Sequence, residues 1–232
     1  MPRSSAPHRE IERKGPAFER RAFLAARDRT WRAVERIAEC IHPGMLEEDA
    51  YEAALAVLAD LGSAKNWHRP WVRFGSNTLK AYGILSDKGK RLGERDIFFV
   101  DIGPVWDGYE GDAGATFVTG RDEEMLRCQA DVQRIFDAVK SRWLDSRDSG
   151  RELYRFAARL AQENGWQLNW RSAGHRLCDF PHALYHKGGL SEVGFAPAPE
   201  AWVLEIQIRH PLLSFGAFHE DLLLEDREAA AG

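Results

Sequence analysis

The segment 97–118 constrains the fold of this chain more than any other. Two runs of strand-forming residues, 97–100 and 116–118, flank a region rich in glycine, which predicts a β-hairpin. Asp101 closes the first run and Asp112 leads into the second, so the hairpin can bring their carboxylates side by side. Two adjacent, partly buried anions must share a proton or hold a cation. The alternative is an ordinary polar turn with two solvated aspartates, and the hairpin alone does not decide between them.

Three further candidate ligands follow downstream. His175 ends a Ser-Ala-Gly-His turn, Glu205 lies inside an apolar strand, and Glu220 leads into another apolar strand. A lone carboxylate in an apolar strand costs several kcal/mol unless it is paired. Four carboxylates and one imidazole form a hard, oxygen-rich set, which suits Mn²⁺, Co²⁺, Fe²⁺ or Zn²⁺ in a two-metal arrangement.

The order of these five residues, with the first two eleven positions apart, resembles the metal-dependent pita-bread peptidases. That family includes methionine aminopeptidases, Xaa-Pro aminopeptidases and prolidases, together with the related creatinases. The segment Ile-His-Pro-Gly-Met at 41–45 and the acidic helix start after it also resemble the family, and the likeness extends over about residues 20–225. It implies an α+β fold, in which a curved antiparallel sheet carries helices on its outside and two halves are related by a pseudo-twofold axis. It also implies two divalent metal ions, held by Asp101, Asp112, His175, Glu205 and Glu220.

The resemblance assigns further roles and has two departures. His182 matches the family residue near the scissile carbonyl, which implies a catalytic and substrate-binding role; the alternative is a surface histidine in a loop. Glu205 is implied to relay a proton as well as to bind metal. Tyr82 stands where the family has a substrate-binding histidine, and Ile206 replaces the proline that usually follows the ligand glutamate.

These residues favour a metal-dependent hydrolase, either an aminopeptidase or an Xaa-Pro-type dipeptidase, that uses a water activated by two metals. Two alternatives stay open. One is a related metalloenzyme that acts on a small non-peptide metabolite, which the tyrosine at position 82 would permit. The other is a catalytically inactive binding protein of the same fold, which the retention of all five candidate ligands disfavours.

Composition restricts the partners. A net charge of −4 and a pI of about 6.1 give no reason to expect nucleic acid, and no apolar stretch reaches the length of a membrane span. Cys40, Cys128 and Cys178 are odd in number and widely spaced, which favours reduced thiols in a cytoplasmic protein. Cys178 is close to His175 in sequence but is not expected to be a nucleophile. The expected partner is a small peptide or small molecule, and homodimer formation is left open.

The organisation along the chain predicts a flexible arm over residues 1–16, one catalytic domain over 17–225 and a frayed tail over 226–232. Apolar residues at helical spacing predict helices over about 23–41, 51–61, 125–143 and 153–160. The remainder through residue 224 is predicted to be rich in strands. His42 and His68 lie in the first half, and we expect them to be away from the ligand strands and to have no catalytic role.

Overall fold

The computed structural model describes residues 10–225. Within that range the helices and strands follow one another as α1 (Arg20–Cys40), α2 (Glu47–Asp60), β1 (Lys65–Phe74), β2 (Asp96–Trp106), β3 (Tyr109–Glu110), β4 (Ala113–Thr119), α3 (Glu123–Ser146), α4 (Gly150–Glu163), β5 (Gln167–Leu168), β6 (Val203–Arg209) and β7 (Gly216–Leu222). Short 3-10 turns occur at Glu10–Glu12, Gly75–Leu79, His182–Leu184 and Leu190–Glu192.

The four predicted helices are confirmed, and local chemistry explains where two of them begin. Asp122 precedes α3 and its side chain accepts a hydrogen bond from the backbone N–H of Met125. Ser149 and Glu152 form a capping box at the start of α4, in which each side chain accepts from the other residue's backbone N–H. These caps satisfy amide groups that the first turn of a helix leaves unpaired.

The strands form one antiparallel sheet in the order β1-β2-β4-β7-β6-β5, and β3 pairs with β2 at its side. Helices α1 and α2 precede β1, β2 and β4, and helices α3 and α4 precede β5, β6 and β7 in the same way. The two halves meet where β4 pairs with β7. Each half therefore repeats the same order of elements, and the predicted relation between the two halves is confirmed in topology.

The hydrophobic core lies between the helices and one face of this sheet. Phe98, Val100 and Ile102 of β2 pack with α1 and α2. Leu204 and Ile206 of β6 pack with α3 and α4. Because successive strand residues point to opposite faces, the positions between them face away from the helices. That second face carries the candidate ligands on β2 and β6.

The structure differs from the sequence predictions in two parts of the chain, residues 10–16 and 169–202. Residues 10–16 do not form a loose arm, because the buried Glu12 carboxylate accepts hydrogen bonds from Trp202 Nε1 (2.9 Å) and Ala198 N (2.7 Å). The rest of the predicted arm, 1–9, and the predicted tail, 226–232, lie outside the described residues. The prediction of a strand-rich region is wrong for 169–202, which is mostly loop because glycine, proline and polar residues interrupt its apolar runs. No helix within 10–225 is both long and apolar enough to cross a membrane.

Candidate metal centre

The backbone register places three candidate ligands in one row across the sheet. Asp101 of β2 pairs with Gly114 of β4, Gly114 pairs with Glu220 of β7, and Glu220 pairs with Glu205 of β6. Residues that are directly opposite in an antiparallel sheet project from the same face. Asp112 lies two positions before Gly114 and therefore faces the same side. Four carboxylates thus converge on the face that the helices leave uncovered.

Gly114 makes this row possible because it supplies no side chain. A Cβ at this position would overlap the Phe218 ring and would lie 3.1 Å from Glu220 Oε1. The space that a larger residue would fill is instead available to the acidic groups around it. The predicted hairpin is confirmed: β2 and β4 pair from Asp96–Thr119 through Ile102–Ala113.

His175 reaches the carboxylates from the loop after β5. Its Nε2 lies 2.8 Å from Asp112 Oδ2, and its Nδ1 lies 3.0 Å from the carbonyl oxygen of Arg176. The carbonyl accepts a hydrogen bond from Nδ1, which directs Nε2 to the carboxylate. A histidine metal ligand is commonly held in this way, with the second ring nitrogen donating to a backbone carbonyl.

Burial and mutual repulsion dominate the electrostatics of the cluster. Burial, with the neighbouring anions, raises the pKa of Asp101 to about 6, the pKa of Glu205 to about 8 and the pKa of Glu220 well above its ordinary value. Burial also opposes ionisation of Asp112, but hydrogen bonds with two histidines outweigh it and lower its pKa to about 2. Burial disfavours the charged ring of His175, yet the contact with Asp112 raises its pKa to about 9. In the absence of a metal cation, protons on the carboxyl groups and on the imidazole must therefore offset the repulsion between the carboxylates.

The donor set fits a divalent metal in spacing as well as in chemistry. The ligand atoms of Asp112, His175 and Glu220 lie within 4.8 Å of one another, and so do those of His68, Asp101 and Asp112. Two ligands at about 2.1 Å from one ion lie about 3.0 Å apart at right angles and about 3.4 Å apart in a tetrahedron. Glu220 Oε1 is also buried without a hydrogen-bonding partner among residues 10–225. An acceptor that is buried and unpaired in this way is costly unless a cation meets it.

The same cleft contains the other predicted site residues. A cavity of about 300 Å³ is lined by Trp67, His68, Tyr82, Asp101, Asp112, Arg171, Ala173, His175, His182, Lys187, Gly188, Gly189, Glu205 and Glu220. Tyr82 is 58% exposed at its wall, with its ring 5.9 Å from the Trp71 ring. Every residue that the sequence analysis singled out for the site therefore faces one cavity.

Glu110 is a residue of this site that the sequence analysis missed. Its buried carboxylate lies 2.6 Å from His182 Nδ1 and accepts a hydrogen bond of 3.0 Å from the His182 backbone N–H. Glu110 therefore fixes both the ring and the backbone of His182 and leaves Nε2 as the ring nitrogen available to the cleft. A single acidic residue in a polar turn gave no signal of this contact, which joins positions 72 apart in the chain.

The expectation that His68 lies away from the ligand strands was wrong. It lies on β1, which pairs with β2, and its Nε2 is 3.5 Å from Asp101 Oδ1 and 3.4 Å from Asp112 Oδ1. Sequence distance misled because an antiparallel pairing brings residues 33 positions apart into contact. The alternation of His68 with other polar and aromatic residues in 65–71 did not distinguish it from an ordinary strand position.

Replacing Gly174 by Ala is expected to damage the centre through the backbone. The added Cβ would overlap the carbonyl of Val203 at the start of β6, which cannot rotate away as a side chain can. We expect a loss of stability of roughly 1–3 kcal/mol and metal binding at least ~10-fold weaker, since His175 is the next residue. Thermal melting and equilibrium dialysis with Co²⁺ measure the two effects. Gly194→Ala is the matched control because its Cβ would meet only the Arg151 guanidinium at 3.7 Å; equal behaviour of the two variants would refute the prediction.

Comparisons with known proteins identify the family and the fold of the chain. The chain matches the model of metallopeptidase family M24 over residues 21–203, and it belongs to that family. Its fold is similar to that of the prolidase from Pyrococcus horikoshii OT3, with a TM-score of 0.72, 20% identity and coverage of 92% of this chain and 61% of that chain. It is also similar to the X-Pro aminopeptidase from Thermotoga maritima MSB8, with a TM-score of 0.68, 17% identity and coverage of 88% and 60%.

The family match and the TM-scores establish the fold, and the predicted pita-bread fold is confirmed. The chain spans about three fifths of the length of these solved structures. No curated protein matches it by sequence comparison.

Proposed function

We propose that this protein is a metal-dependent hydrolase that cleaves the amide bond at the N-terminal end of a short peptide, with Xaa-Pro dipeptides as the favoured class. The observation that carries the proposal is the convergence of four buried carboxylates and one imidazole in a single cavity. A bound cation removes the repulsion among these carboxylates without protonating them, and strongly shifted pKa values in a cleft are typical of catalytic sites. Residues 17–225 form the catalytic domain in this proposal.

Two divalent ions, Mn²⁺, Co²⁺, Fe²⁺ or Zn²⁺, would occupy the centre. Asp101, Asp112, His175, Glu205 and Glu220 would hold these ions, with Asp112 and Glu220 as the residues that would serve both. The sharing role of Asp112 is supported by its place in both groups of closely spaced ligand atoms. When bound, such ions polarise a carbonyl and lower the pKa of water to the physiological range.

The protein's own residues supply the proton transfers and the orientation. Glu205 is proposed to accept the proton of the attacking water at a carboxylate oxygen, since its side chain lines the cavity beside the other candidate ligands. His182 is proposed to act as an imidazolium, in which Nδ1–H donates to Glu110 and Nε2–H donates to the carbonyl oxygen as that oxygen becomes an anion. Tyr82, at the cavity wall, is proposed to hydrogen-bond the substrate from its hydroxyl group.

The size and charge of the cavity favour a short substrate with a free carboxylate. A volume of about 300 Å³ is at the lower end of small-molecule sites. The acidic centre would attract a free amino group. Arg171 and Lys187 are exposed and line the same cavity, so they place positive charge where a carboxyl terminus would lie. A dipeptide satisfies both ends of this arrangement.

Hydrolysis of matched peptides tests the proposal. Protein loaded separately with Mn²⁺, Co²⁺, Fe²⁺ and Zn²⁺ should be assayed on Xaa-Pro dipeptides, their C-terminal amides and a longer Met-Ala peptide. We expect kcat/KM for the dipeptide to exceed that for its amide by at least ~10-fold, about 1.4 kcal/mol, and Arg171→Gln/Lys187→Gln to abolish that preference. Two bound ions without turnover on any peptide would refute peptide hydrolysis and favour a metabolite as substrate. Failure to bind metal would favour an inactive binding protein.

A further inference from the structure

His68 makes the same set of contacts as the ligand candidate His175. Its side chain is 3% exposed, and its Nδ1 lies 2.7 Å from the carbonyl oxygen of Arg69, the next residue. In His175, too, Nδ1 faces the carbonyl of the following residue. In both rings Nδ1–H donates a hydrogen bond to the carbonyl, so Nε2 is the nitrogen that faces the carboxylates.

Asp112 has one imidazole at each of its carboxylate oxygens. Oδ1 lies 3.4 Å from His68 Nε2, and Oδ2 lies 2.8 Å from His175 Nε2. His68 Nε2 is also 3.5 Å from Asp101 Oδ1. Both separations of His68 are close to the about 3.4 Å expected between two ligands of one tetrahedral ion. A nitrogen lone pair cannot face two carboxylate oxygens in a buried site, so either a proton on Nε2 or a bound cation must lie between them.

The neighbouring strand is shaped to accept this ring. His68 pairs with Gly103 of β2, and a Cβ at Gly103 would overlap His68 Nε2 and the Trp67 indole. The Trp67 ring lies 4.3 Å from the His68 ring and 5.1 Å from the His175 ring, so one indole supports both imidazoles. The ring of His68 is therefore held in place by packing as well as by its hydrogen bond.

We propose that His68 is a metal ligand, which binds through Nε2 on the Asp101 side of the centre. This inference rests on the proposed two-metal function and adds a sixth ligand residue to it. Each side of the centre then has one imidazole, His68 with Asp101 and Asp112, and His175 with Asp112 and Glu220. Imidazole suits Co²⁺, Zn²⁺ and Fe²⁺, whereas a purely carboxylate set suits Mn²⁺. The ligand therefore favours the former ions over Mn²⁺ on the Asp101 side.

Metal binding by His68→Phe tests this role without reference to activity. Equilibrium dialysis should give two Co²⁺ ions per wild-type chain, and in the variant one of the two should bind at least ~10-fold more weakly. Proton NMR of the Co²⁺-loaded protein gives a direct readout, because an Nδ1–H that donates to a carbonyl exchanges slowly and is strongly shifted when its ring binds Co²⁺. We expect two such signals in the wild type and one in His68→Phe.

His42→Phe is the matched control. His42 is exposed and its Nδ1 also contacts the next carbonyl, at 3.1 Å from Pro43 O, but it lies outside both groups of closely spaced ligand atoms among residues 10–225. The control should keep two ions and two shifted signals. His68→Gln, which is polar and smaller, replaces His68→Phe if circular dichroism shows that the latter does not fold.

Two results would overturn the inference, and they differ in whether the proposed two-metal function also fails. If the His68 variant keeps both ions with unchanged affinity and both shifted signals, His68 is only a hydrogen-bonding partner of the carboxylates, and the proposed hydrolase stands. If the wild type itself binds no Co²⁺, Zn²⁺ or Mn²⁺, the two-metal function fails together with the role of His68.

Discussion

Asp112→Asn is expected to remove metal binding and metal-dependent turnover while the fold is kept. Asp112 belongs to both groups of closely spaced ligand atoms, so its loss takes a ligand from each ion. We expect metal affinity to fall by at least ~100-fold, about 2.7 kcal/mol, and peptide hydrolysis to fall by ~1,000-fold or more. Isothermal titration with Co²⁺ and an assay of dipeptide hydrolysis measure the two losses.

The metal-free form of this variant provides a second readout. Asn replaces the buried anion that His175 and His68 contact, so the unfolding midpoint of metal-free Asp112→Asn should fall below that of the wild type, while its circular dichroism spectrum stays that of a folded chain. Cys178→Ala is the control, because burial raises the pKa of this thiol to about 12 and leaves it a neutral core group. It should keep both ions and most of the activity. Two ions bound by Asp112→Asn within threefold of wild-type affinity would contradict the proposed sharing of this residue.

Metal removal is expected to make the thermal stability fall as the pH rises from about 6 to 8.5. Glu205 has a folded-state pKa raised to about 8, above its ordinary value, so its contribution is lost across this window, whereas that of Asp101, with a pKa raised to about 6, is lost at the lower edge. A carboxyl whose folded pKa is raised stabilises the fold fully below its unfolded pKa, and this stability is lost as the pH rises through the folded pKa. His175, with a pKa raised to about 9, changes stability in the same direction over this window.

Bound metal should reverse this dependence, because it replaces the protons that the acidic groups otherwise need. Ligand at 100 times its Kd stabilises by about 2.7 kcal/mol, which for a chain of this size corresponds to roughly 5–10 °C. Differential scanning fluorimetry of EDTA-dialysed protein, with and without Zn²⁺, should show a metal-induced shift that grows with pH. Glu205→Gln removes one titrating group and should flatten the metal-free curve. A metal-free melting temperature that is constant or rises between pH 6 and 8.5 would show that loss of protons from the cluster does not destabilise the fold.

Four of the five candidate ligands could be proposed from sequence because each belongs to a local pattern, whereas His175 was assigned through the family resemblance. Asp101 and Asp112 flank a glycine-rich hairpin, and Glu205 and Glu220 are acids in otherwise apolar strands, where an unpaired charge would be costly. The helices could be predicted because their apolar residues recur at helical spacing. These patterns are local, so they can be recognised in the sequence without knowing which distant residue each side chain contacts.

His68 and Glu110 could not be assigned in this way. His68 has no local feature that separates it from a strand histidine on any surface, and Glu110 resembles an ordinary turn glutamate. Their roles depend on the pairing of β1 with β2 and on the return of the 175–182 loop to the hairpin. The loop region 169–202 was mispredicted for a related reason, since its backbone is satisfied by distant partners such as Gly174 O with Leu190 N rather than by a regular ladder.

The order and spacing of the candidate ligands along the chain indicated the family, the hairpin and a cluster whose donor atoms suit a divalent metal. The tertiary structure alone decided which groups meet: the register Asp101–Gly114–Glu220–Glu205 across four strands, the missing side chain at Gly114, and the imidazole of His68 opposite that of His175. The physical reason is that side-chain type is a property of single residues. Sheet register, in contrast, depends on the packing of two helix-covered halves against each other, and a shift of one residue would turn every ligand on a strand to the opposite face.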